Sequence, residues 1–179
     1  AGTATVTITG KGNYTGTRTL NFTIVKKEEP KPQVPTQITS PSVSVNQSAG
    51  SISKITIGTS VQSFRASLNE KNYVKVYQNN QVVSDSVVLA TGMEARVMDG
   101  NTVVKKYSII VTGDTSGDGK MNITDMIAIK ANILKKTLLN GVYEDAADVN
   151  GDGKINVTDF IKIKAALLKK DSIVGVAVK

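Results

Sequence analysis

The 179-residue chain contains no cysteine, no histidine and no tryptophan. Without cysteine there is no disulfide, no thiolate nucleophile and no thiolate metal ligand. Without histidine, imidazole acid–base chemistry and the usual zinc sites are excluded. Aromatics are scarce: Phe22, Phe64, Phe160, Tyr14, Tyr73, Tyr77, Tyr107 and Tyr143 are all there are. No apolar run approaches the roughly 18 residues of a membrane span, so no membrane partner is expected. Acids are sparse where sugar chemistry would need them. Residues 38–111 hold only Glu70, Asp85, Glu94 and Asp99, with no spacing that pairs two carboxylates across one bond. Asp85 and Asp99 fall at turn-like positions, where a solvated loop acid is the default. No catalytic residue is expected.

The net charge of +7 comes from 22 Lys and Arg against 15 acids. No dense basic run or aromatic-interleaved patch concentrates it, so nucleic acid is not an expected partner. Ala1 opens on a strand pattern with no leader-like segment; the expectation is a piece of a longer protein.

What is present is a repeated loop. Asp114, Ser116, Asp118, Asn122 and Asp125 carry side-chain oxygens at positions one, three, five, nine and twelve of a twelve-residue stretch. Asp148, Asn150, Asp152, Asn156 and Asp159 repeat the pattern 34 residues later. Gly119 and Gly153 fill position six, where the chain must turn sharply. Lys120 and Lys154 fill position seven, where the backbone carbonyl is the ligand and the side chain is incidental. All-oxygen donors at this spacing suit a hard cation of Ca²⁺ size, so two calcium ions are expected. Residues 113–136 and 147–170 share 15 identities in 24 positions. Each loop runs into a helical apolar pattern. Met126, Ile127, Ile129, Ile133 and Leu134 form the first apolar face, and Phe160, Ile161, Ile163, Leu167 and Leu168 the second. Thr124 with Asp125, and Thr158 with Asp159, suit a first helical turn.

Residues 112–170 resemble a dockerin, the calcium-dependent module that plugs secreted proteins into cohesin modules. The resemblance rests on the two loop–helix units and on loops that end in Asp within an Asn-x-Thr-Asp sequence. It also rests on the absence of a helix before the first loop, because Tyr107–Val111 alternates like a strand straight into Gly113-Asp114. It implies a small all-α module with two EF-hand-like units. Its implied partner is a cohesin on a scaffoldin or cell-surface protein, in a cellulosome-type assembly of an anaerobic bacterium. The implied location is extracellular, and the implied state outside that complex is a monomer. It further implies contact residues Ile123, Thr124, Lys130, Ala131 and Lys135 in one copy, and Val157, Thr158, Lys164, Ala165 and Lys169 in the other. Their near identity implies two binding orientations about 180° apart. Ser116 departs from the family's usual Asn or Asp, which implies a weaker first site.

The rest divides by composition. Residues 1–27 alternate as a β-hairpin: Ala4, Val6 and Ile8 on one strand, Leu20, Phe22 and Ile24 on the other. It reads either as the last strands of a truncated immunoglobulin-like module or as part of the adjoining domain. Residues 28–37 are charged and proline-rich, an extended linker. Residues 38–111 carry short strand signals at 42–45, 53–57, 73–77, 81–83, 93–98, 103–104 and 106–111, with a helical turn at 63–68. That pattern argues for an immunoglobulin-like β-sandwich. It resembles the X modules that precede dockerins and is expected to dock against the repeated loops. Residues 171–179 form a tail. Two other classes of function stand beside cohesin anchoring: a calcium-stabilised stalk, and a glycan-binding adhesin using Tyr73 and Tyr77.

Overall fold

Threonine alternating with aliphatic residues produces the first element pair. The computed structural model of the chain describes residues 2–27 and 33–168, and the fold separates into one unit up to Gln33 and another from Val34. In the first unit, β1 (Gly2–Thr9) pairs antiparallel with β2 (Thr17–Ile24) along its whole length. The period-two alternation puts Val6 opposite Leu20 and Ala4 opposite Phe22 on one face. Threonines fill the other face, where the Thr5 hydroxyl donates to Asn21 Oδ1 at 3.0 Å. Among the described residues these two strands form a two-stranded sheet of their own.

The second unit begins with β3 (Ser44–Asn46), β4 (Ser51–Ile55), α1 (Val61–Ala66), β5 (Val74–Gln78), β6 (Gln81–Val82), β7 (Glu94–Asp99) and β8 (Thr102–Val111). The sandwich expectation is corrected here. The strands join in a single six-stranded sheet of order β3-β4-β8-β7-β5-β6, not two facing sheets. It is mixed, since β4 runs parallel to β8 while the other pairs are antiparallel. Ser60 caps α1 by accepting the Ser63 N–H at 3.2 Å. Phe64 and Val61 of this helix, with Ile38, Leu68 and Leu89, pack on the sheet face that carries Ile52, Val74, Val76, Ala95, Val97, Tyr107, Ile109 and Val111. One helix and its flanking loops thus do the covering that a second sheet would do in a sandwich. The expected strands 103–104 and 106–111 are one strand; the break is a register shift opposite Val97/Met98. Asp85 is not a free loop acid, because Arg65 donates to it at 2.9 Å.

β8 runs directly into the repeated region. There α2 (Ile123–Ile133), α3 (Val142–Ala147) and α4 (Val157–Leu167) surround a small core of Ile129, Ala147, Val149, Ile163 and Ala166. The short helix α3, which ends against the second loop, has no strong signal in the sequence. Among the described residues no helix is long and apolar enough to cross a membrane. Lys169, the expected tail 171–179 and residues 28–32 of the expected linker lie outside the described residues.

Candidate cation loops and the helix faces beside them

Each loop is closed by its first and last aspartates. Asp114 Oδ1 accepts the N–H groups of Gly117 and Asp118 at 2.9 and 3.0 Å, and Oδ2 accepts that of Gly119 at 3.1 Å. Asp148 repeats this with Gly151, Asp152 and Gly153 at 2.8, 3.1 and 2.7 Å. Asp125 accepts from Ser116 N–H and Asn122 N–H, both at 2.9 Å. Asp159 accepts from Asn150 and Asn156 N–H at 3.2 and 2.9 Å. The fifth-position aspartates accept from Lys120 and Lys154 N–H.

The ninth and twelfth positions also start the helices. Asn122 and Asn156 are N-caps, and Asp125 and Asp159 return a bond to the cap N–H, completing a capping box in each copy. The buried carboxylates of Asp125 and Asp159 therefore sit in the first turn, where the helix dipole favours a negative charge.

Gly119 and Gly153 have φ of 76° and 80°, the left-handed turn that the sixth position demands. The donors are uniformly hard oxygens, and this fits a Ca²⁺-sized ion. The carboxylates are turned to their own loop's N–H groups. Among the described residues no three acidic side chains gather closely enough to form one cage.

The two loops differ in their surroundings. Asp114 and Thr115 are buried, whereas Asp148 is half-buried and the glycines of the second loop are exposed. Burial pushes the Asp114 carboxyl above its ordinary range, and nearby Asp125 pushes the same way. The N–H donors of Thr91, Gly119 and Gly117 oppose this without cancelling it.

The helices carry two apolar stripes, where the sequence pattern alone suggests one. Met126, Ile129 and Ile133 face the core, as do Phe160, Ile163 and Ala166. Ile127, Leu134, Ile161 and Leu168, expected on that same buried face, point to solvent. They lie roughly 100° round the helix, in line with the expected contact residues. Ile123 and Ile127 are each 56% exposed, and Val157 and Ile161 are 58% and 57% exposed. Thr124, Lys130, Lys135, Thr158 and Lys164 are exposed, and Ala131 and Ala165 are half-buried. Spacing of four and seven from Ile123 and Val157 is the signal that separates these residues from the core stripe. Tyr73 and Tyr77 do not form an open platform. Tyr73 packs against the β-core, and the Tyr77 ring lies 4.0 Å beneath the Arg96 guanidinium.

Residues 112–168 match the family model described as the dockerin type I domain. That match supports a dockerin in this segment, a family whose members are calcium-binding, cohesin-recognising modules of cellulosome-type assemblies. No curated protein and no solved structure matches the chain.

Proposed function

We propose that this chain anchors a longer extracellular protein to a cohesin-bearing scaffold through two calcium-loaded loops and the outward stripes of α2 and α4. The observation that carries the reading is the duplicated exposed stripe. Ile123, Ile127, Lys130 and Leu134 on one helix correspond to Val157, Ile161, Lys164 and Leu168 on the other, with nearly equal exposure. Exposed aliphatic side chains grouped beside lysines mark an interaction surface more than a solvated face. Two equivalent stripes suit one partner held in either of two orientations.

The chain's own residues do the preparatory work. Asp114, Asp118 and Asp125 in one loop, and Asp148, Asp152 and Asp159 in the other, would hold one ion each. Ser116 and Asn150, Asn122 and Asn156, and the Lys120 and Lys154 carbonyls complete the donor sets. Calcium, when bound, would offset two of the three negative charges in each loop and fasten the start of each exiting helix. Because Asn122/Asp125 and Asn156/Asp159 serve both loop and helix cap, loop closure and helix orientation are one event. The β-region is then an X-module-like spacer.

Titration of the whole chain with cohesin modules, in calcium and in chelator, tests this reading. Binding in calcium that is lost in chelator supports it. Binding indifferent to chelator, or no binding to cohesins of any type, overturns it.

A further inference from the structure

The backbone N–H groups that close the two loops onto their first and last aspartates are the same, donor for donor, with one addition. Thr91, in the β-region, donates its backbone N–H to Asp114 Oδ2 at 2.8 Å. Asp148 has no counterpart to that donor among its bonds to the described residues. Thr91 is anchored for the task. Its hydroxyl donates to the Val111 carbonyl at 3.2 Å and accepts the Val111 N–H at 3.1 Å, clamping the end of β8 three residues before Asp114. Thr91 and Asp114 are both buried.

The loop backbone also lies against the same segment. A Cβ placed on Gly119 would sit 3.1 Å from the Leu89 carbonyl oxygen, and one on Gly117 would sit 3.0 Å from that of Thr91. The matching Gly153 and Gly151 have open space. The φ values are closely paired: 76° and 75° for Gly117 and Gly151, 76° and 80° for Gly119 and Gly153. The contact stops at the loop. The outward stripe of α2 is as exposed as that of α4.

We propose that residues 89–92 are a built wall of the first cation loop, with the Thr91 N–H as the positioning donor that orients Asp114. The proposal rests on the calcium reading above. It makes the two loops unequal while leaving the two binding faces alike. Cation binding at the first loop is coupled to the β-region, and by linkage that ion stabilises the seating of the β-region in return. The second loop organises itself and responds to calcium alone. This preorganisation opposes the weakening expected from Ser116.

The matched glycines supply the test in the full chain, with CaCl₂ as the probe. Gly119→Ala and Gly153→Ala carry the same left-handed strain and differ only in the β-region wall. Calorimetric titration should show Gly119→Ala costing its own site about tenfold more affinity than Gly153→Ala costs the other. Equal losses overturn the proposal. A second measurement covers the case that Gly119→Ala fails to fold. In ¹⁵N spectra the Thr91 amide should move with calcium in the Asp148→Ala chain and stay still in the Asp118→Ala chain. A Thr91 amide that ignores calcium, or follows the second loop, overturns the proposal. Absence of calcium binding by the unaltered chain would remove the calcium reading as well. Calcium binding with equal glycine penalties removes this inference alone.

Discussion

The twin stripes make a quantitative demand on partner binding. Fully burying an isoleucine or valine is worth about 1.5–3 kcal/mol. Ile123, Ile127, Val157 and Ile161 are each a little over half exposed, so a partner covering one can gain roughly half that value. Truncation to alanine leaves a methyl group behind. Ile123→Ala with Ile127→Ala should therefore cost one orientation about 2 kcal/mol, roughly thirtyfold in affinity. If the two orientations are equivalent, disabling one merely halves the binding modes, a loss of about 0.4 kcal/mol or twofold. Each double substitution alone should then weaken cohesin binding about twofold, including Val157→Ala with Ile161→Ala. The quadruple substitution should weaken it about thirtyfold, far beyond the sum of the two halves. Calorimetric titration against one cohesin, in excess calcium, reads all four proteins. If one double variant alone takes the full loss and the other is neutral, a single orientation is used and the duplication has no role in binding.

Three further outcomes are expected of the loops. Chelation should remove most of the helical circular dichroism of α2 and α4 while the β-sheet signal persists, because drawing the three aspartates of each loop onto one site is opposed by their repulsion without a cation; unchanged helicity would contradict this. Asp148→Ala should lower calcium affinity about ten- to hundredfold, and Ser116→Ala by much less, because only the first removes a charged ligand; equal losses in calorimetry would refute the ranking. Asp114 holds its proton more readily folded than unfolded, so its contribution to stability in chelator is present at low pH and lost as pH rises through the raised folded value. The melting temperature of the unaltered chain relative to that of Asp114→Asn should fall as pH rises through the carboxylate range; a flat difference would remove the basis for the effect.

Much of the local structure was legible in the sequence, although the helix α3 was not. The candidate ligands lie within twelve residues of one another, so their spacing alone suggests a donor set, and the turn at Gly119 and Gly153 is as the sixth position requires. The same holds for Asn122 with Asp125 and Asn156 with Asp159, where a three-residue interval makes a capping box. The hairpin was equally readable, because strict alternation within two adjacent strands leaves little choice of register. Hydrophobicity could not say which of two apolar stripes is buried. Ile127 and Ile129 are chemically identical, and only the packing of α2 against α4 sends one outward and the other into the core.

Non-local pairing was beyond the sequence for a similar reason. β4 and β8 are parallel partners more than fifty residues apart. No turn signal encodes that choice, so strands read as a sandwich close instead into one mixed sheet covered by α1. The inequality of the loops is also a tertiary fact. The two copies are nearly the same in sequence, but only the first continues directly from β8. That connection brings the Thr91 N–H and the Leu89 carbonyl against its loop.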